Sequence, residues 1–348
     1  MTDRAAILVA LAAAGGALAA RPVPLVAAGV ALVVALAARW PWLLGVGVAL
    51  AASGLATRSW AGLEPPEPAP LRGTVTLVSD PQDIAGALRV DVRLGHRRVE
   101  AWARGRAAGA LRDRLAGQRV EVSGHLGAVP DGQRRWLATR HVSGRLTVES
   151  VGAWTAGGWS SRVANRFRQT LVGGASSLSP DRRGLFTGFV LGDDRGQPPE
   201  VAYDFRASGL THLLVVSGQN VAFVLALAAP LLRRLGLWSR LAAGLGVLAL
   251  FGTITRWEPS VLRAVAMASI ALLASALGRP ASTVRILALA VTGLLLVDPL
   301  LVHSIGFRLS VGACLGIAVL ARPLARTMPG PRPLADALAV TAAAQVGV

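Results

Sequence analysis

The chain has 348 residues, 53% of them hydrophobic, and a mean hydropathy of +0.52. This excludes an ordinary water-soluble domain, because several apolar stretches approach the ~20 residues that span a bilayer. The net charge is +17, and every basic residue other than histidine is arginine, so the chain lacks a Walker A loop, which needs a lysine to bind ATP. The single cysteine, Cys314, excludes intrachain disulfides and metal sites with several cysteines.

Three apolar segments open the chain, at about 5–20, 23–38 and 41–57. Prolines separate them, as is usual at helix starts. The first segment has a signal peptide as its alternative reading, because a small-residue site resembling a cleavage site ends it. More apolar segments follow at once, which favours retained membrane helices. We therefore expect residues 1–58 to form N-terminal transmembrane helices.

A proline-rich linker at 62–70 separates these helices from a region with a different hydropathy pattern. Apolar and polar residues alternate there with period two, between glycine-rich turns. The candidate strands are at 74–78, 89–94, 119–124, 136–140 and 145–149. About five short strands predict a small OB-like β-barrel at 59–152, with a simple β-sandwich as the alternative.

Arginines and tryptophans are interleaved in this β domain. The candidate DNA-contact residues are Arg97, Arg98, Trp102, Arg104, Arg134, Arg135 and Trp136. OB-folds bind single strands through a basic groove with aromatic side chains on which bases stack. The alternative is a solvated barrel rim with tryptophans in the core.

The remaining residues, 153–348, are predicted to form a membrane core. An amphipathic segment at 159–178 carries Arg162, Arg166 and Arg168, a pattern typical of a helix lying on an anionic membrane surface. A short helix is expected at about 199–208. Six spans are expected at about 210–232, 238–256, 260–277, 283–298, 305–321 and 334–348.

The predicted fold is thus a polytopic α-helical membrane protein with an inserted small OB-like β-barrel. Three spans precede the β domain. With a cytoplasmic N-terminus they place that domain outside the cytoplasmic membrane, because an odd number of spans reverses the side.

Four polar residues interrupt the apolar run that begins near residue 210: His212, Ser217, Gln219 and Asn220. Polar groups at membrane depth are costly and usually functional, so they are candidates to line or gate a pore. The alternative is a helix–helix contact held by small and polar residues.

Arg263 and Arg308 lie near the starts of two apolar helices. An arginine inside the hydrocarbon region needs a compensating partner. One hypothesis is that both face a pore and pair with phosphates, which guanidinium groups bind bidentately. The alternatives are snorkelling to the interface, or a salt bridge from Arg263 to Glu258.

Several ordered motifs point to a known family. They are Leu191-Gly192-Asp193-Asp194, Pro198-Pro199-Glu200, Ser208-Gly209-Leu210-Thr211-His212-Leu213, Val216-Ser217-Gly218, Pro259-Ser260-Val261-Leu262-Arg263-Ala264 and Asp298-Pro299. In order and spacing they resemble the ComEC family of competence proteins. The resemblance implies a channel component that passes single-stranded DNA across the cytoplasmic (inner) membrane during natural transformation. It also implies an extracytoplasmic β domain.

The resemblance further implies partners: single-stranded DNA, membrane lipids, a DNA receptor, and cytoplasmic DNA motor or binding proteins. It leaves a homo-oligomer open. Family members usually continue into a metallo-β-lactamase-like nuclease domain, whose metal motif is absent here. We therefore expect a fragment or truncated gene, or a separate nuclease, and no enzyme activity, metal or cofactor in this chain.

Two other functions remain open at this stage. A small-solute permease or exporter explains the polytopic core but not the basic β domain. A non-transporting membrane scaffold fits if the pore is incomplete.

Overall fold

The computed structural model describes residues 2–38, 40–130, 132–193, 195–208, 218–279 and 281–348. The chain divides into two compact units. Unit 1 comprises Met1–Ala61, Ala228–Leu245 and Leu262–Val348. Unit 2 comprises Gly62–Leu227 and Gly246–Val261, and it contains the whole β domain.

The α-helices of the described residues are as follows. They are α1 (Asp3–Ala19), α2 (Leu25–Ala38), α3 (Pro41–Ala61), α4 (Gly105–Arg112), α5 (Arg134–Ala138), α6 (Trp159–Gly174), α7 (Pro180–Leu191), α8 (Pro199–Ala207), α9 (Gly218–Leu232), α10 (Leu237–Ile254), α11 (Pro259–Ala276), α12 (Thr283–Val297), α13 (Ile305–Thr327) and α14 (Arg332–Gly347). Short 3₁₀ turns lie at Ala175–Ser177 and Pro299–His303.

Four helices within the described residues are long and apolar enough to cross a membrane: Trp42–Ala61, Leu237–Ile254, Pro259–Ala276 and Ile305–Thr327. Shorter apolar helices lie at Leu25–Ala35, Gly218–Leu232 and Thr283–Val297. These helices indicate a membrane location, as the apolar segments of the sequence predict.

Two helices at the end of unit 1 approach each other through their backbones. On α13, a Cβ atom added to Gly312 would overlap the carbonyl group of Gly347, and one added to Gly316 would overlap that of Ala343. Small residues allow such close contact between apolar helices. α13 and α14 therefore pack without a layer of side chains between them at these positions.

The described residues of the β domain in unit 2 form six strands. They are β1 (Ala69–Leu77), β2 (Gln82–Ile84), β3 (Ala87–Leu94), β4 (Arg97–Ala103), β5 (Arg119–Ala128) and β6 (Val142–Thr155). Five of them pair in a closed ring, β1–β5–β6–β4–β3–β1, and β2 pairs with β3 outside the ring. The β4–β6 pair is parallel and the others are antiparallel.

Alternating side chains of the ring fill its interior. Val90 and Val92 of β3, with Val120 and Val122 of β5, are buried in one apolar cluster. This is the result that period-two alternation predicts. Helix α4 follows β4 and adds Leu111 to the same cluster.

One predicted strand is wrong, because residues 134–138 form helix α5 where a strand was expected at 136–140. Leu137 and Ala138 are adjacent in sequence and both buried, which a single face of a strand does not permit. The backbone of this turn is hydrogen-bonded within the turn itself, since Leu137 N–H donates to Gln133 O at 2.9 Å. The sequence analysis also missed strands β2 and β4.

Candidate functional site

A cleft of about 930 Å³ on the β domain brings together three of the predicted DNA-contact residues. Trp102 lies on β4, Arg104 follows that strand, and Trp136 lies on α5. Trp136 is 50% exposed. The short helix α5 thus places the ring of Trp136 in the lining of the cleft. A strand at the same residues would have directed this side chain differently.

Arginine side chains stack on both tryptophans. The Arg145 guanidinium lies 5.5 Å from the ring centroid of Trp102. Those of Arg89 and Arg140 lie 5.7 and 4.8 Å from the ring centroid of Trp136. Such cation–π contacts hold flat, positively charged groups against aromatic faces. Each tryptophan of the cleft therefore has at least one guanidinium group against its ring.

Two buried carboxylates lie beneath these arginines. Glu100 is 1% exposed and accepts hydrogen bonds from Trp102 Nε1 at 2.7 Å and Arg145 Nη2 at 2.9 Å. Asp91 accepts from both Nε and Nη2 of Arg140, the first at 2.9 Å. Arg140 Nη1 also lies 3.5 Å from Glu100 Oε1. The fold thus neutralises much of the charge of Arg140 and Arg145.

The other predicted arginines of the β domain do not line this cleft. Arg134 and Arg135 are exposed on α5, next to Trp136. Arg97 and Arg98 lie at the start of β4, at the opposite end of the strand from Trp102. The predicted residues therefore divide into a group in or next to the cleft and the pair Arg97 and Arg98, which is distant from it along β4.

The sequence analysis missed Arg89, Asp91, Glu100, Arg140 and Arg145 as parts of the site. One signal was available once β3 and β4 were paired, because Asp91 and Glu100 are cross-strand partners. Like charges directly opposite each other are destabilising. An acid pair of this kind on adjacent strands requires cations nearby, which here are arginines from residues 140–145.

A second polar cluster of unit 2 surrounds Arg168, a residue predicted to lie on an exposed helix face. That expectation is wrong, because Arg168 is 3% exposed. Its Nη1 donates to the carbonyls of Leu191 at 2.9 Å and Ile254 at 2.8 Å. Its Nη2 donates to Asp80 Oδ2 and Asp193 Oδ2, both at 3.0 Å. The hydrogen-bond partners of Arg168 cover this face of α6, whereas Arg162 and Arg166 on the same helix are exposed.

Further arginines complete this Arg168 cluster. Arg256 binds Asp80 through Nη2 at 2.9 Å and Nε at 3.2 Å, and its Nη2 also donates to Asn165 Oδ1 at 2.8 Å. Arg195 binds Asp193 through Nε at 2.8 Å and Nη2 at 2.6 Å. The cluster therefore ties the loop after β1 to α6, to the segment after α7 and to the turn after α10.

The electrostatics of this cluster follow from burial and pairing. Burial alone would raise the pKa of the Asp80 carboxyl, but Arg256 and Arg168 outweigh it and hold that pKa below its ordinary value. Burial likewise opposes ionisation of Asp193, whose pKa is lowered by Arg195 and Arg168. Burial lowers the pKa of Arg168. Both carboxylates are thus charged across the neutral pH range.

The turn after α10 has an uncommon backbone. Arg256 and Trp257 both have left-handed φ values, of 61° and 56°. Residues with side chains rarely adopt this conformation and need surrounding structure to hold it. Trp257 N–H donates to Gly252 O at 2.8 Å, and Arg256 is held by Asp80. These contacts fix the turn.

The predicted pore or gate residues are only partly within the described chain. His212 and Ser217 lie outside the described residues. Gln219 and Asn220 lie in the first turn of α9, where Gln219 is exposed. Asn220 Nδ2 donates to Phe189 O of α7 at 2.6 Å. Asn220 thus connects the start of α9 to α7, and a role of these residues in a pore or gate stays a prediction.

Arg263 of unit 1 is buried, with 7% exposure, so it does not snorkel. Its Nε lies 2.6 Å from Ser310 Oγ, and its Nη1 lies 2.7 Å from Cys314 Sγ and 3.5 Å from Met267 Sδ. These hydrogen bonds join α11 to α13, and none of them is to a carboxylate. Arg308 is exposed near the start of α13.

No group of three or more His, Cys, Asp or Glu among the described residues is placed to hold a metal ion.

Comparison with known proteins finds a similarity in the second half of the chain. Residues 189–348 match the family model described as Competence protein. This confirms the resemblance to competence proteins for that region, and the narrower ComEC assignment stays a prediction.

Two curated relatives match part of the chain. The chain is 28% identical over 158 residues to Competence protein ComA of Neisseria gonorrhoeae, covering 43% of this chain and 22% of that protein. It is 31% identical over 137 residues to ComE operon protein 3 of Bacillus subtilis (strain 168), covering 39% of this chain and 18% of that protein. The matched part thus spans about a fifth of the length of these relatives. No solved structure matches the chain significantly.

Proposed function

We propose that this chain is a membrane component of DNA uptake during competence, and that it helps to pass single-stranded DNA across the cytoplasmic membrane. The observation that carries the proposal is the match of residues 189–348 to the Competence protein family model. The apolar helices support a membrane location.

The β domain has the role of contacting the incoming strand in this proposal. We take its ring of five strands to be an OB-like barrel, in which a helix follows the third strand of the ring. Trp102 and Trp136 offer stacking surfaces beside the arginines of the cleft. Every base has a π-face, so such a surface accepts single strands of any sequence.

The membrane core has the role of conduction. Arg263 is a buried cation without a carboxylate partner in its hydrogen bonds. A phosphate passing along the core would supply the missing negative charge. Contacts of this kind must be weak and numerous, because tight binding would stall a moving strand, as it stalls an ion in a channel.

A binding experiment tests the role of the β domain. The full chain in nanodiscs of neutral lipid is titrated with a labelled oligothymidylate, alongside Trp136→Ala. Stacking on one aromatic ring contributes about 1–3 kcal/mol, so we expect Trp136→Ala to weaken binding about fivefold or more. Trp159→Ala is the control, since Trp159 is 74% exposed on α6 and is not part of the cleft.

A cellular experiment tests uptake itself. Labelled DNA is followed in a deletion strain of the source organism, with surface-bound and internalised DNA counted separately. We expect surface binding to persist and entry to disappear. Unchanged entry in a competent host would contradict the proposal and would favour a small-solute permease or a scaffold.

A further inference from the structure

Two buried acids, Glu100 in the lining of the cleft and Asp91 opposite it on β3, are each paired with an arginine. Arg140 is paired with Asp91, and Arg145 is paired with Glu100, which also lies within reach of Arg140. A cleft built only to attract a polyanion would leave these guanidinium groups free. The presence of Asp91 and Glu100 therefore has to be explained by their effect on the binding of a polyanion.

The stability of the barrel does not supply that explanation. Asp91 and Glu100 are buried and lie directly opposite each other on β3 and β4. Bringing two like charges together in a low dielectric is costly, and apolar side chains in place of a buried ion pair are often neutral or stabilising. The stability of the sheet alone thus does not call for acids at these positions.

The chemistry of the pairs points to competition. Carboxylates and phosphates both accept paired N–H bonds from a guanidinium group. Arg145 lines the cleft, and its Nη2 is shared between Glu100 Oε2 and Gln133 Oε1, each at 2.9 Å. Its Nε is buried and has no hydrogen-bond partner among the described residues. Arg145 therefore has unused donor capacity and an acceptor that a phosphate can replace.

We propose that Glu100, supported by Asp91, is an internal competitor for the phosphates of single-stranded DNA. It holds Arg145 when the cleft is empty and takes Arg145 back when a phosphate leaves. Binding of each phosphate is then an exchange of acceptors rather than the capture of a free cation. This weakens binding and speeds release, as a strand that must keep moving requires. The inference rests on the proposed role of the cleft in binding single-stranded DNA.

The test is the variant Glu100→Gln in the full chain in nanodiscs of neutral lipid. Glutamine keeps an oxygen acceptor for Trp102 Nε1 while removing the charge. We expect oligothymidylate to bind about three- to tenfold more tightly at low salt, with slower dissociation. The slope of log K against log salt should steepen by about 0.7, the value for one additional phosphate contact of a single strand.

Glu149→Gln is the matched control. Glu149 lines the same cleft, but it is exposed and its partner is His125 at 3.0 Å rather than an arginine. Both variants add one unit of positive charge to the cleft. Only Glu100→Gln frees a guanidinium group, so a general electrostatic effect would change both variants equally.

The outcomes separate this inference from the proposed function. If the unaltered chain binds no oligothymidylate at low salt, the proposed function of the cleft is wrong and the inference is wrong with it. If the unaltered chain binds but Glu100→Gln behaves like Glu149→Gln, the competitor role alone is overturned. Should Glu100→Gln fail to fold, Asp91→Asn frees Arg140 instead and is expected to tighten binding in the same direction. Unchanged or weaker binding by a folded Asp91→Asn variant would overturn the competitor role.

Discussion

Two arginines are buried to a similar degree in the two units, yet their surroundings differ. Arg168 in unit 2 contacts two carboxylates and two backbone carbonyls. Arg263 in unit 1 contacts one hydroxyl and two sulfur atoms. A buried charge is costly unless the fold compensates it. The fold compensates Arg168 itself, so Arg168 holds structure together, whereas the hydrogen bonds of Arg263 include no anionic group.

The largest effect on stability is expected from Arg168→Met. Removing this guanidinium takes one arginine partner from each of the buried carboxylates of Asp80 and Asp193. Asp80 keeps Arg256 and Asp193 keeps Arg195, so the expected loss is at most the about 3–5 kcal/mol of a fully broken buried pair. The thermal unfolding midpoint of the purified protein in detergent measures the loss. Arg166→Met on the exposed face of the same helix is the control and should change stability by less than about 0.5 kcal/mol. Equal effects of the two substitutions would contradict the assigned role of Arg168.

The next effect is a dependence on pH. The pKa values of Asp80 and Asp193 are lowered below the ordinary 3.8. The unfolded chain therefore binds more protons than the folded chain in acid, and stability rises with pH there. The contribution of the cluster is complete above the ordinary pKa and is lost as the pH falls through the lowered values.

Asp80→Asn isolates this contribution. The difference in unfolding free energy between the unaltered protein and Asp80→Asn should be constant from neutral pH to about pH 5 and should shrink below about pH 4. Chemical denaturation followed by tryptophan fluorescence at each pH provides the comparison. A difference that grows towards acid would mean that Asp80 is not held ionised by Arg168 and Arg256.

The third test concerns Arg263, for which we expect a small change in stability and a large change in transport. Arg263→Gln removes a charge that no carboxylate balances in its hydrogen bonds, and glutamine can still donate to Ser310, so stability should change by less than about 1 kcal/mol. Entry of labelled DNA should fall at least about tenfold, as loss of a transition-stabilising contact of ~1.4 kcal/mol implies. Normal entry at normal protein levels would exclude Arg263 from the path.

The smallest effect is expected from Cys314→Ser. The serine hydroxyl is a better acceptor than a thiol for Arg263 Nη1, and the two side chains are similar in size. The free energy of unfolding should therefore stay within about 0.5 kcal/mol of that of the unaltered protein, with any shift towards stability. A large loss would show that the sulfur atom has a role in packing that an oxygen atom cannot replace.

The sequence predicted the parts of the fold that depend on local periodicity. Alternation located β1, β3, β5 and β6, and apolar length located the helices that suit a membrane. It failed at 136–140, where adjacent buried residues needed a helical turn, and it failed at Arg168, whose partners are distant in sequence. Asp80 is 88 residues away and Ile254 is 86 residues away. Charges paired over such separations have no signature in a window of one helix.

The candidate site was predicted to a similar extent and for similar reasons. Interleaved arginine and tryptophan were enough to select Trp102, Arg104 and Trp136. The acids Asp91 and Glu100 were missed, because their meaning depends on strand register, which places them opposite each other. A pattern of residue types identifies the arginines and tryptophans that would bind a ligand, whereas strand register is needed to identify the acids that pair with those arginines.

The contact between α13 and α14 has a mechanical consequence. At Gly312 and Gly316 the two backbones touch directly, so neither helix can slide along the other without bringing a bulkier residue into a carbonyl group. Shear between packed helices needs a layer of side chains that can shift, and this pair lacks one at these positions. We therefore expect α13 and α14 to resist sliding past each other, so that a movement within unit 1 would meet less resistance along other helix boundaries.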